Sequence, residues 1–524
     1  MFNCLTFLRY IFIALFLVSC DSSDNSNTEL QDGIVFLANK DTYQTFELYL
    51  TNHRGDYIQR LNHALAENAT VNDFVVSPDG KYVAYSATSG PLTPIELYIA
   101  NMDGSGTYKV SEIFPSNPPA YSGVSQYSWS PESTHLAYLA NHQGGNPDKS
   151  LYIAPVSNGP SINVTPQASV DSFRWSPNNG HIAYLGYKLN LSNSLGIYVV
   201  EINGQIETKV SGDLAINETV YNDGYTWAPD SSRLAYIKRN SSSIDEMHTV
   251  LPDGTGSYNL SNGINAIPQY WLWAPDSSRL AYIADQDTTS VYELYTILPD
   301  ASDNRKISVL QDLDDDVNVF SWSPDSSYIA YQAGRPSNNV ELYTVAPKGD
   351  QHTKVSGLLG DNEEVVSFFW APNSSQIAYW KHSGATNIIE LFIVEPNGGN
   401  LASIFNRDNS NYSYVSNAHW SPDSNHIAFQ ASVQTELKLY ALNIKDQIAF
   451  QVSQEPNISG GSVKLEGFKW TSDSKNLVYK ATFNHLIYEE LFSASIDGSL
   501  QKNISGTMVF GGHVDNFEIT QIQN

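Results

Sequence analysis

The sequence predicts an all-β chain, a β-propeller of about ten four-stranded antiparallel blades, and three observations carry that expectation. One sentence, Trp-(Ser/Ala)-Pro-(Asp/Asn)-Ser-x-x-(Ile/Leu)-Ala-Tyr, recurs with its first residue at Val76, Trp129, Trp175, Trp227, Trp273, Trp322, Trp370, Trp420 and Trp470. Such a period signals a repeat architecture. Within each period four short strand signals alternate with turn signals, which is the content of one propeller blade. Finally, the two ends of the chain complement each other: the first lacks one strand of a blade and the last supplies it.

The elements of one repeat follow from local chemistry. Residues 317–322 form the first strand, a, ending on Trp322, and Ser323-Pro324-Asp325-Ser326 is a tight turn with proline preset for it. Strand b covers 328–333, strand c 340–345 and strand d 353–356, with Pro347-Lys348-Gly349-Asp350 as the turn between c and d. The same Asx/Gly turn chemistry recurs at Asp103-Gly104, Asp253-Gly254 and Asp497-Gly498. Two residues before the anchor stands a second ring, from Phe74 in the first copy to Phe468 in the last, with Ala418 the exception. Side chains two apart share one face of a strand. Blades stacked face to face then bury both rings, so the tryptophans are read as structural and the motif aspartate as a turn cap.

Closure is expected from the ends. Residues 33–38, 46–50 and 57–61 supply strands b, c and d, and 513–519 aligns with 169–175, placing Phe517 on the ring position and Ile519 on the anchor. The domain reading is 1–19 a signal segment, 20–32 a tether and 33–524 the propeller. Two smaller stacked propellers are the alternative to one ring.

The first residues carry a different signal. Arg9 precedes an apolar run, 11–18, too short to span a bilayer but suited to export. It ends in Leu17-Val18-Ser19-Cys20, which resembles the lipobox of bacterial lipoproteins. That resemblance implies lipidation of Cys20 and an envelope location facing the periplasm, anchored by lipid alone, with Asp21 favouring the inner membrane. With Cys4 the only other cysteine, no internal disulfide is expected in the exported chain. The polar stretch 21–28 reads as a flexible tether.

Net charge is −27, from 28 basic and 55 acidic residues. Such a surface repels nucleic acid and favours cations or a basic partner. The densest acidic runs lie in loops from strand d to the next strand a: Asp312, Asp314, Asp315 and Asp316 in one, Glu363 and Glu364 in another, with Glu218 and Asp223 in a third. They form a candidate acidic rim or calcium site, although no Asp-x-Asp-x-Asp-Gly calcium loop occurs and a solvated charge run is the plainer reading. No cofactor is otherwise expected.

The repeated sentence, with Glu-Leu-Tyr and Asp-Gly downstream, resembles the TolB-like propeller repeats, shared more loosely with the propellers of prolyl oligopeptidases. The resemblance covers 33–519 and implies the fold far more firmly than any function. A serine peptidase is disfavoured, since no Gly-x-Ser-x-Gly elbow occurs. Oligogalacturonate lyases use a related propeller with histidines around a metal, but His135, His181 and His426 occupy equivalent turn positions in different blades and read as solvated turn residues. The expected function is a monomeric, non-catalytic, lipid-anchored scaffold that binds an envelope protein or basic peptide; the alternative is a metal-dependent polysaccharide lyase with its site in the central channel.

Overall fold

The computed structural model describes residues 31–90, 93–112, 114, 122–141, 148–189, 191, 194–261, 270–310, 315–335, 339–384, 388–405, 412–433, 436–453, 464–482 and 489–522. The signal segment, Cys20, and Asp312 and Asp314 therefore lie outside the described residues. Among those described, 40 strands group into ten antiparallel units of four. Blades 2 to 10 span 70–109, 123–163, 168–209, 219–259, 270–306, 317–354, 363–405, 412–451 and 464–503. Blades 2 and 3 share one sheet through a single parallel pair, Ile95 with Gly123. A Cβ on Gly123 would stand 2.9 Å from the Ile95 nitrogen, so only glycine permits that approach.

Blade 1 is built from both ends of the chain. Its strands Gln31–Ala38, Glu47–Asn52 and Ile58–Arg60 receive Val514–Ile522 as the fourth, with Phe36 opposite Phe517 and Ile34 opposite Ile519. The ring and anchor positions expected for Phe517 and Ile519 are the ones they occupy. The boundary of the tether changes: Gln31 and Asp32, read from sequence as tether, pair with Ile522 and Gln521. Asp32 is buried because it caps the neighbouring blade, accepting from Ser472 Oγ at 2.6 Å and Ser472 N at 3.2 Å.

One ring, not two, is what the core demands. Ten apolar clusters each join one blade to the next, and the series closes with Val478 and Leu491 of blade 10 packed on Ile34 and Phe36 of blade 1. Each buried ring removes roughly 150 to 250 Å² from water, worth roughly 4 to 6 kcal/mol as an upper bound.

The repeated sentence is the joint between blades, and each of its letters has a partner. In seven blades the anchor tryptophan donates its indole N–H to the carbonyl just before the preceding anchor, at 2.9–3.4 Å, as Trp322 does to Leu272. The motif carboxylate caps its own turn: Asp325 Oδ1 accepts from Ser323 Oγ at 2.6 Å and Ser327 N at 3.1 Å. The serine after it adopts positive φ, 63° at Ser326, a conformation that disfavours most side chains. Its hydroxyl accounts for its presence. Across seven seams this Oγ accepts the backbone N–H of the preceding blade's Asp or Asn at 2.8–3.2 Å.

Inside each blade, strand b stacks a ring on strand c at 5.2–5.7 Å in all ten blades, Tyr331 on Tyr343 being one. In eight blades a Ser, Thr or Asn closing strand d accepts from a strand c amide fourteen residues earlier, at 2.8–3.1 Å. The Asp-Gly turn between c and d is constrained twice over. Gly498 has a φ of 69°, and a Cβ there would stand 2.4 Å from the Gln451 carbonyl of blade 9.

Candidate functional site

With the repeat absorbed by the joints, what differs from blade to blade is the inner wall. Ala168–Trp175 touches Thr219–Trp227 and Thr70–Val76 touches Val514–Ile522, in keeping with the place of a strands around the central axis of a propeller. A further interaction crosses this wall at Lys469, whose Nζ donates to the Phe517 carbonyl at 2.9 Å. Most a strands carry a β-bulge four residues before the anchor, where the ladder skips Asn72, Ser125, Asp171, Asn318, Val366 and, in blade 1, Asp515. A bulge re-aims the side chain it releases. All six of these side chains are exposed, and no two neighbouring blades repeat one.

The wall is two-sided. Blades 1 to 4 present Asp515, Asn516, Asn72, Asp73, Ser125, Gln126, Asp171 and Ser172. Burial holds the Asp171 carboxyl above the usual carboxylate range. Blades 6 to 8 present Tyr270, Val319 and Val366, which are 43%, 38% and 55% exposed. Two cavities open there. One of about 420 Å³ lies between blades 6 and 7, lined by Tyr270, Ile283, Tyr292, Asp316, Val317, Asn318 and Val319. The other, of about 260 Å³, lies between blades 8 and 9 beside Ala418.

Of the acidic runs read from sequence, the carboxylates among the described residues each have partners of their own. Asp316 Oδ1 accepts the Tyr292 amide at 2.9 Å, fastening blade 7 to blade 6, and Oδ2 lies 3.5 Å from Arg335. Asp315 is buried. Glu363 accepts from Gly360 N at 2.8 Å and from Lys381 at 3.2 Å; those bonds, the backbone one foremost, hold its carboxyl below the usual range. Glu218 repeats the arrangement in blade 5 with Ala215 N and Lys238. Glu364 lies 3.6 Å from His382. Asp316, Glu363 and Glu218 cap turns and seams, and among the described residues no three His, Cys, Asp or Glu side chains converge as a metal site would require.

The histidines are also distributed. His181 and His426 pack near the anchors Trp227 and Trp470 of the following blades, at 6.4 and 6.3 Å. Burial lowers the pKa of His135, whose Nδ1 lies 3.0 Å from Thr134 Oγ1. His181 and His426 are joint residues, where the sequence reading had solvated turns. His248 replaces the strand c ring of blade 5, stacking on Tyr236 at 5.2 Å, and burial lowers its pKa. The inner-wall bulges were missed from sequence. Their one signal was that the pair of residues before the ring changes from one bulge to the next, Asn72-Asp73, Ser125-Gln126, Asp171-Ser172, Asn318-Val319, Val366-Ser367 and Asp515-Asn516.

Residues 312–456 match the family model described as the dipeptidyl peptidase IV (DPP IV) N-terminal region, which is well under half of the chain. No curated protein matches the chain by sequence. Among solved structures, a eukaryotic initiation factor is similar at a TM-score of 0.50 and 11% identity, over 93% of this chain and 98% of that one. Porphyromonas gingivalis dipeptidyl peptidase 4 gives 0.48 and 13%, over 78% of this chain and 64% of its own. A prolyl endopeptidase gives 0.36 and 12%, over 70% of this chain and 55% of its own. This chain therefore spans less than two thirds of either peptidase. At such identities a likeness speaks for fold alone, and the fold is a β-propeller.

Proposed function

We propose that this propeller is a non-catalytic binding or assembly scaffold of the bacterial envelope, TolB-like in kind, held to a membrane by lipid on Cys20. Its partner is an envelope protein or basic peptide that engages the inner wall of the ring. One observation carries the reading: the residues of the repeat are consumed by joints, while the bulged positions of the inner strands are exposed and differ from blade to blade. Non-repeating side chains on a repeating frame are how such rings present a binding surface.

The acidic balance supports a cationic partner. The inner wall is a better contact surface than the rim, because Asp316 and Glu363 already serve the fold. The test is a photo-crosslinking amino acid placed at Ser125 and at Asn318, with Asp497 on an outer turn as control, in the full chain in its own membranes. Discrete adducts from the two wall positions and none from Asp497 are expected. Adducts only from Asp497, or from no position, would sink the scaffold reading. Separately, Cys20→Ala should release the protein from membranes, and a variant that stayed bound would refute the lipid anchor.

A further inference from the structure

Nine blades place Phe, Tyr or Trp two residues before the anchor; blade 9 places Ala418 there. The backbone departs from the repeat at the same point. The ladder shifts between Ser416 and His419, so that Asn417 and Ala418 bulge together, and Asn417 takes a φ of 50°. Its Nδ2 donates to the buried Gln430 Oε1 at 2.7 Å, which fixes the bulge.

The missing ring leaves room. The cavity of about 260 Å³ between blades 8 and 9 is lined by Val366, Ser367, Phe369, Trp380, Ile389, Asn417 and Ala418. Its walls are held in place, since Phe369 stands edge-on to Trp420 at 6.4 Å and Trp380 edge-on to Phe429 at 5.7 Å. At its mouth are exposed Val366 and Asn417, so it opens on the channel.

We propose that this cavity is a socket for one aromatic side chain carried by an extended basic segment of the partner, which supplies the ring that blade 9 lacks. Size, lining and charge agree. A dry apolar cavity of about 150 Å³ suffices for benzene, and apolar walls with one or two polar groups at the mouth are the usual make-up of a ligand pocket. Elsewhere on the channel wall, exposed Asp73, Asp171 and Asp515 suit lysine or arginine on the same segment. The identity of the occupant rests on the scaffold reading above.

The experiment titrates the full chain in detergent with the tripeptide amides Lys-Phe-Lys and Lys-Ala-Lys and with N-acetylphenylalanine amide, read by calorimetry or saturation-transfer NMR. Lys-Phe-Lys should bind at least about tenfold more tightly than either of the others. Ala418→Phe, which fills the socket from within, should abolish that preference while the thermal midpoint stays at or above that of the wild type. Ala418→Leu is the second variant, in case the larger ring distorts the bulge, and should weaken the preference in the same direction. A preference that survives in a folded variant, or no preference in the wild type, overturns the socket. Equal binding of N-acetylphenylalanine amide and Lys-Phe-Lys points to a free aromatic ligand and overturns the peptide occupant. Channel crosslinks from Ser125 and Asn318 that persist in such a case leave the scaffold reading standing, so the two failures are told apart.

Discussion

Ser326 Oγ accepts the backbone N–H of Asp276 at 3.0 Å across the seam between blades 6 and 7, from a backbone held at a φ of 63°. Two effects oppose each other at this residue. The left-handed conformation costs roughly 1 to 2 kcal/mol for a residue with a Cβ, and the hydrogen bond returns roughly 0.5 to 1.5 kcal/mol. Ser326→Ala keeps the strain and loses the bond, so denaturant melts should show a loss of about 1 kcal/mol. Ser326→Gly loses both and should fall within about 0.5 kcal/mol of the wild type.

The tryptophan joints offer an internal control. Trp322 donates its indole N–H across the seam, whereas the buried Trp273 Nε1 has no partner among the described residues. Trp322→Phe therefore removes a bond that Trp273→Phe does not, and it should cost about 1 kcal/mol more in a chemical melt. Equal losses would mean that the seam depends on ring packing alone.

Gly498 and Gly106 form a similar pair. Gly498→Ala forces a Cβ against the Gln451 carbonyl at positive φ, so a loss of about 2 kcal/mol or more is expected. A Cβ on Gly106 meets nothing within 4 Å. Gly106→Ala should be neutral or slightly stabilising, and thermal scans of the two variants separate the cases.

The capping carboxylates set an acid limb. Hydrogen bonds, from Ser495 foremost, bring Asp497 down to about 2, and Glu363 and Glu218 lie below their usual value. A carboxyl whose folded pKa is depressed adds stability that is fully present above its unfolded pKa and is lost as pH falls through the folded one. For Asp497 that window runs from about pH 4 down to about 2. Melting midpoints measured across it should fall less steeply in Asp497→Asn than in the wild type.

Much of this architecture was legible because each feature repeats. The anchors, the ring before them, the turn cap and the shared blade 1 all follow from period-two alternation, turn chemistry and the fit of 513–519 onto 169–175. Other features were hidden by their geometry. The serine of the motif looked like a mere turn residue, since its acceptor role depends on a neighbour 47 to 54 positions away. The acidic runs looked like a site because sequence shows their density, not that Asp316 faces Tyr292 or that Glu363 caps Gly360. Ala418 was visible as an exception, but only three-dimensional packing converts an absent ring into a cavity.

Blade 1 takes three strands from one end of the chain and Val514–Ile522 from the other. Blades 2 to 10 are each complete without that last strand, whereas blade 1 is not. Without it the stacked blades describe an open arc, with an unpaired strand edge at Gln31–Ala38. The arc becomes a ring, and the channel acquires a continuous wall, only when that final strand docks.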